Sequence, residues 1–368
     1  MRATAGHARA ARPPQRSAVG LKIGSMEAIT IIGGGIAGLA LAAGLDPRRF
    51  DVAVHEQRPG VPAVETSLAM WPEAQAALAV LGVLPQIREA GTAFGGMALR
   101  DATGTALVAP EVRGVLGVSR ADLIRILEAA VPASVQRIEG RVDDIPVTGP
   151  LSSGLLVGAD GVHSVVRRSF WGARSQARLT PYLALRGVLP VPVQADAGGE
   201  YWGRGQLFGI TPASGDRTYW YASFRSNLGP AGVGAAEALR QAKERFAGSA
   251  PAVRTVLEQA TPDATLAQRI WTTPNLGSFV RPGAVLAGDA AHGMTPNLGR
   301  GACEALVDAV TLAELLNARP LEDALKAYNR QRALRTQLLR LASSAMAGVA
   351  LTKRAQPLRD GLLRLASR

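Results

Sequence analysis

The chain has one cysteine, Cys303, in 368 residues, so no disulfide can close within it. That usage suits a reducing compartment, and the cytoplasm is the expected location. Histidine is almost as scarce. His7, His55, His163 and His292 are scattered, which excludes the clustered ligands of a structural zinc site, and no metal is expected. Long apolar runs are missing too. The best, Leu341 to Leu351, is 11 residues between Arg340 and Lys353. A membrane span needs roughly 20, so none is expected. What remains is ordinary globular material, 47% hydrophobic and 19% charged. At about 150 residues per domain, the length suggests two domains.

The net charge of +12 would suggest nucleic acid if it were spread over one face. It is not. Residues 1–25 carry Arg2, Arg9, Arg12, Arg16 and Lys22 without an acid, and residues 326–368 carry ten bases against Asp360 alone. The body from 26 to 325 is left at −2, so no nucleic-acid partner is expected. Residues 1–25 contain Arg-Pro-Pro-Gln-Arg and no apolar face, which reads as a disordered extension ahead of Met26.

Ala28 to Ile32 is a β-branched run leading into Gly33-Gly34-Gly35-Ile36-Ala37-Gly38. An apolar helix follows to Leu45, then a strand from Phe50 to His55 that ends in Glu56. This is the βαβ unit that a dinucleotide fingerprint requires. Gly33 allows the tight turn, Gly35 the approach of a pyrophosphate, and Gly38 close packing of the helix. The helix starting at Ile36 and Ala37 points its free N–H groups at the phosphates. Glu56 is placed to take ribose hydroxyls, with Arg58 two residues on. The pattern alone does not separate an NAD(P) dehydrogenase from an FAD protein.

Further along, Trp71 to Leu84 and Arg120 to Ala130 read as helices, with Ser119 capping the second. Met97 to Val108 reads as a hairpin. Tyr182–Pro190, Tyr201–Thr211 and Arg217–Phe224 are aromatic and β-branched, as strands of a second, antiparallel sheet would be. Ala235–Ala247 is a helix lying across it. A buried strand returns at Ala284–Leu286, and helix runs from about Gly301 to the end.

Gly158-Ala159-Asp160-Gly161-Val162-His163-Ser164-Val165-Val166-Arg167 and Gly288-Asp289-Ala290-Ala291-His292 resemble the second and third FAD signatures of the group A flavoprotein monooxygenases, the para-hydroxybenzoate hydroxylase fold. Arg120, in Val118-Ser119-Arg120-Ala121-Asp122-Leu123, matches the arginine that the family places ahead of its helix. The motifs occur in the family's order, and the resemblance runs from Met26 to about Tyr328. Around Pro274-Asn275-Leu276 and Asp289 it is nearest to salicylate-, urate- and zeaxanthin-type members.

The resemblance implies an α/β protein: a Rossmann-type FAD-binding domain on a parallel sheet, a smaller antiparallel-sheet substrate domain, and a long C-terminal helical region. The expected division gives FAD binding to 26–92, 115–178 and 268–330. Substrate binding falls to 93–114 and 179–267, and a basic helical region to 331–368. It further implies bound FAD, transient NAD(P)H, and O2 that forms a flavin 4a-hydroperoxide able to hydroxylate or epoxidise a small aromatic or polycyclic compound. The chain would act as a monomer or homodimer. Asp160 and Gly161 would serve FAD and the passing nicotinamide; the plainer role for Asp160 is a helix cap. Gly288 and Asp289 would meet the ribityl chain, and Pro296, Gly299 and Gly301 the flavin ring, where the following helix dipole favours negative charge. Two alternatives stay open: a non-oxygenating oxidoreductase of the same fold, and a non-catalytic FAD-binding protein.

For the substrate, Arg186 and Arg204 lie in the aromatic strands, where either could hold an anionic oxygen; both are also plausible edge arginines. About half of Tyr182, Tyr201, Trp202, Tyr219, Trp220 and Tyr221 must face away from any pocket. Three departures from the family stand out. The stretch from Arg137 to Leu155 is about twenty residues short. Glu73 stands where Asn is common, and Arg300 where Gln is common. Leu338, Leu339, Leu341, Met346, Val349 and Leu351 recur at near-helical spacing, so that helix should pack on the body or on a partner subunit. Deleting residues 1–25 is expected to leave flavin content and turnover unchanged; a truncated protein that aggregates or loses flavin would place the extension in the fold.

Overall fold

The computed structural model describes residues 27–60, 64–109, 113–145, 154–194, 196–229 and 233–366. The proposed extension, and part of the shortened 137–155 stretch, lie outside them.

β1 (Glu27–Ile32), α1 (Ile36–Gly44) and β2 (Phe50–Glu56) form the first unit, with β1 and β2 parallel. β3 (Ser67–Met70), α2 (Pro72–Val80), α3 (Leu84–Ala90) and β4 (Thr92–Phe94) follow. The hairpin β5 (Leu99–Asp101) and β6 (Ala106–Val108) precedes β7 (Val115–Ser119) and α4 (Arg120–Ala130). Next come β8 (Gln136–Glu139), β9 (Gly154–Gly158) and α5 (Val165–Trp171). β10 (Arg178–Leu189), β11 (Gly199–Trp202), β12 (Gln206–Ala213) and β13 (Arg217–Arg225) lead to α6 (Ala235–Arg245) and α7 (Pro251–Gln259). The chain returns through β14 (Thr265–Thr272), β15 (Val280–Arg281), β16 (Ala284–Leu286) and α8 (Asp289–His292). It ends in α9 (Gly301–Ala318), α10 (Leu321–Ala350) and α11 (Gln356–Ala366).

The first sheet has the order β15-β16-β9-β1-β2-β8, parallel except for β15 at its edge. β1 is central, and the chain leaves it in opposite directions to reach β2 and β9. Ligands bind at such a switch point, outside the carboxyl ends of the strands. β1 is buried from Ala28 to Ile32, as a strand covered on both faces must be. The second sheet, β14-β10-β13-β12-β11-β5-β6, is mostly antiparallel. One of its faces packs Leu183, Leu185, Phe208, Trp220 and Phe224 against α6 and α7. A third, small sheet, β3-β7-β4, lies between.

Four local expectations change. Residues 71–84 form two helices, because Gly82 turns left-handed at φ +73 between them. Residues 201–211 form two strands around Gly205, φ +71. The C-terminal helix breaks at Pro320 and again after Leu351. Lastly, the stripe along the end of α10 is only partly covered by the body, where Leu351 is buried. Leu338 and Leu341 are more than half exposed and Val349 is exposed, whereas Arg332, Thr336, Gln337, Arg340 and Ser343 are buried. The buried side of this helix combines apolar residues such as Leu325 and Tyr328 with polar ones that bond α8, α9 and the loop between them.

Two fingerprint glycines differ in what they tolerate. A β-carbon at Gly38 would fall 1.9 Å from the Gly33 carbonyl oxygen, whereas one at Gly35 meets nothing within 4 Å. Gly38→Ala should therefore lower the apoprotein's thermal stability by about 1–3 kcal/mol or more, as overpacking does. Gly35→Ala should leave that midpoint in place and weaken FAD alone. Equal midpoints for the two variants would refute this separation.

Candidate active site

The carboxyl ends of β1, β2 and β9 open into a cavity of about 1200 Å³ that continues beneath the second sheet. At one end, Gly33 adopts φ +106 and donates its N–H to the His55 carbonyl at 2.8 Å. Gly35, Ile36 and Ala37 line the cavity. Glu56 is fixed by two backbone donors, Gly34 N–H on Oε2 and Arg58 N–H on Oε1, each at 2.7 Å. Its carboxylate and the Arg58 side chain face the same space.

The second motif sits beside it. Asp160 Oδ2 accepts from Val165 N–H at 2.6 Å and Val166 N–H at 3.3 Å, so half of this carboxylate caps α5. Its Oδ1 is buried at the cavity wall without a partner. Burial raises Asp160 above the usual carboxylate range, against the hydrogen bonds that lower it. Gly161, φ +74, also lines the cavity. Arg167, fully buried, ties this motif to the third. It donates to the Ser175, Val162 and Ala290 carbonyls, and burial brings it down to about 10.

Gly288 and Asp289 emerge at the end of β16. Gly288 takes φ +60, and a β-carbon there would press on Ala37 and Ala305. Its N–H donates to Asp308 Oδ2 at 2.9 Å, and the Asp289 carbonyl accepts from Thr273 Oγ1 at 2.8 Å. With its backbone held, Asp289 projects its carboxylate into the cavity and makes no capping bond to α8. The Pro296–Gly301 loop faces it: Pro296, Gly299 (φ +61) and Gly301 all line the cavity. A β-carbon at Gly301 would lie 3.9 Å from Asp289 Oδ1.

His292 is withdrawn from this space. It is fully buried, with Nε2 donating to Asp308 Oδ2 at 2.6 Å. Burial would lower it, but Asp308 outweighs that and the net shift is upward. Arg332 completes the cluster on Asp308 Oδ1 at 2.6 Å and also bonds Glu304. Asp308, Arg332 and Glu304 escaped the sequence reading. Their signal is a polar stripe at helical spacing, Arg332, Thr336, Gln337 and Arg340, in a helix whose Leu334, Leu338 and Leu341 point out.

Arg120, at the start of α4, faces the cavity. Burial lowers its guanidinium below the ordinary range, the nearby Asp289 charge offsets part of this, and Arg186 adds to it. Arg300 lies over the Trp71 ring at 5.2 Å, with Glu73 at 3.0 Å and Glu304 at 3.5 Å. The two departures at 73 and 300 thus neutralise each other. Cys303 is buried, its thiol pushed up to about 11, mainly by burial, so it is no thiolate at neutral pH.

Under the second sheet, Arg186, Tyr219 and Tyr221 reach the cavity. Tyr201 and Trp220 face α6 and α7 instead, and Tyr182 and Trp202 meet the end of α10. Arg204 requires a correction. It occupies the exposed turn between β11 and β12, bonds the Lys353 carbonyl at 3.3 Å, and does not line the cavity. Residues 202 and 207 pair across that turn, which puts Arg204 beyond the last rung.

A family model described as an FAD binding domain matches residues 141–341, and one for an NAD(P)-binding Rossmann-like domain matches 31–63. The aurachin C monooxygenase/isomerase of Stigmatella aurantiaca is 31% identical over 312 residues, 78% of this chain and 80% of that protein. The FAD-dependent urate hydroxylase of Klebsiella pneumoniae is 32% identical over 334 residues, 83% and 86% of the two chains. The chain belongs to the group A flavin-dependent aromatic monooxygenases. A solved structure of Klebsiella pneumoniae HpxO with FAD and uric acid superposes with a TM-score of 0.79 at 27% identity, covering 92% of this chain and 93% of that one.

FAD is the cofactor of this family, and NAD(P)H its reductant. The residues fit the flavin nucleotide: open space over Gly35, a fixed carboxylate at Glu56, a projecting one at Asp289, and the unpartnered Asp160 Oδ1.

Asp289→Ala tests this assignment. Loss of a charged hydrogen bond costs roughly 1.5–3 kcal/mol, about one to two powers of ten in FAD affinity. The apoprotein midpoint should hold, because the side chain caps nothing. A lowered midpoint with unchanged FAD affinity would make Asp289 structural.

Proposed function

We propose that this flavoprotein monooxygenase uses NAD(P)H and O2 to hydroxylate or epoxidise a small aromatic or polycyclic substrate held beneath the second sheet. The observation that carries the reading is one continuous cavity running from Gly33 and Glu56, past Asp289, to Arg186 and Tyr221. At about 1200 Å³ it exceeds the ordinary ligand pocket of roughly 300–1,000 Å³, which leaves room for a ring beside the nucleotide. The relatives named for aurachin C and urate support an aromatic or heteroaromatic ring.

When bound, FAD supplies the electron transfer and oxygen activation. The chain supplies the setting. Glu56 and Asp289 orient the sugar hydroxyls, Asp160 and Gly161 border the nicotinamide's approach, and the α9 N-terminus favours negative charge on the ring above it. Pro296 borders the reacting edge, and Arg186 offers a cation to an oxygen of the substrate. Residues 26–92, 115–178 and 268–330 take the FAD-binding role, and 93–114 with 179–267 the substrate role, with 331–368 as the helical region packed on both.

We place the protein in the cytoplasm as a monomer or homodimer. No described helix is long and apolar enough to cross a membrane. Leu334, Leu338 and Leu341, each more than half exposed on one side of α10, support the dimer.

An NAD(P)H-oxidation screen over aromatic and heteroaromatic compounds checks the reading. The true substrate should accelerate oxidation by about tenfold or more, a barrier change near 1.4 kcal/mol, and leave with one oxygen atom from labelled O2. Acceleration without added oxygen would make the protein an oxidoreductase. Bound FAD without turnover would make it a binding protein.

A further inference from the structure

The cavity face of the second sheet carries one row of polar residues across four strands. Arg186 on β10 is opposite Tyr221 on β13, Tyr221 is opposite Gly209 on β12, and Gly209 is opposite Glu200 on β11. Gly209 is there because of the ring. A β-carbon at that position would lie 2.0 Å from Tyr221 Cζ, so the phenol lies flat across the β12 backbone. This reach brings Tyr221 Oη to Glu200, where it donates to Oε2 at 2.5 Å; Trp202 Nε1 donates to Oε1 at 2.5 Å.

Glu200 borders the cavity and is otherwise enclosed by protein. Among the described residues its recorded side-chain partners are Tyr221 and Trp202, and no cation pairs with it. Arg186, also bordering the cavity, has no carboxylate or hydrogen-bond acceptor among them either. An enclosed carboxylate with only two neutral donors is costly, and so is an uncompensated cation. Burial raises Glu200 above the usual carboxylate range, against those donors. Burial, and next the Glu200 charge, hold Tyr221 well above the ordinary phenol, so it stays a donor toward Glu200. The remaining lone pairs of Glu200 and the Arg186 guanidinium are left for whatever ring occupies the cavity.

We infer that Glu200 is a specificity-determining residue: its carboxylate, steadied by Tyr221 and Trp202, accepts a hydrogen bond from a ring N–H or O–H of the substrate, whose carbonyl or oxyanion faces Arg186. This rests on the reading of the cavity as a ring site. The substrate class it selects is a ring with a donor on one edge and an acceptor oxygen on another. A ring whose Glu200 edge carries a carboxylate is repelled.

Matched probes test this on the FAD-loaded protein, through quenching of flavin fluorescence. The probes are 4-quinolone and N-methyl-4-quinolone, in which a methyl group replaces the donor hydrogen, so the Glu200→Gln comparison below separates the lost donor from the added bulk. Wild type should bind the N–H form at least about tenfold more tightly, since a site built to accept a donor rejects the analogue without one. Glu200→Gln, which keeps size but not charge, should shrink that ratio severalfold. Its FAD content should match wild type. Wild type that binds both probes equally overturns the assignment without reference to any variant. An unchanged ratio in Glu200→Gln overturns it as well, whatever happens to its midpoint. If neither probe quenches wild type, the ring-site reading itself has failed, and this assignment with it.

Discussion

Asp308 carries a carboxylate at zero exposure in the middle of α9, and the Gly288 N–H, His292 and Arg332 all answer it. Burial would raise its pKa, but the two cationic neighbours hold it down, so it stays charged. Removing one partner of such a buried group leaves an orphaned charge, at about 3–5 kcal/mol. That stiffness has a geometric result. The same carboxylate holds the loop after β16, the helix that begins at Gly301 and the helix that carries Arg332. Arg167 does the complementary task from the other side, joining the loop after β9 to Ala290. Asp160, Asp289 and the glycine loop come from distant stretches of chain, yet their positions derive from two buried ionic groups that do not line the cavity.

Around the cavity mouth, charge is balanced within the protein. Arg300 would add a cation beside the flavin site, but Glu73 and Glu304 meet it and Trp71 lies beneath it. A reading of either departure alone predicts an altered field. The pair predicts little change, because opposite charges at 3.0 Å largely cancel at the distance of a ligand.

The parts of the fold legible in the sequence are those whose physics is local. Gly33 and Gly38 are demanded by a turn and a packing contact within six residues, so their spacing betrays them. Asp289 follows an apolar strand that can only end where ligands bind. The strands at 201–211 and the helices at 71–84 depart from the sequence pattern for a local reason too: glycines at 82 and 205 adopt left-handed backbone that a hydrophobic pattern does not register. Arg204 failed for the same cause, since it belongs to the turn that Gly205 makes. α10 is hard to read for a different one. Leu334, Leu338 and Leu341 face out while Asp308, Ala291 and Thr295 offer bonds to Arg332, Gln337 and Ser343. No property of α10 alone states that its polar side is the buried one.

The substrate face is hardest to read for a related reason. On β13, Trp220 goes to the core and Tyr219 and Tyr221 to the cavity, as a period of two requires, but which parity faces inward depends on register. That register is set over β10, β11, β12 and β13 together, and residues 186, 200, 209 and 221 meet only through it. Cofactor motifs are written in consecutive residues because they shape a backbone. The substrate is addressed by side chains that share a row and not a segment. This chain therefore reveals its flavin in three short stretches, while the row we infer to select its ring depends on a glycine that lets one tyrosine cross a strand.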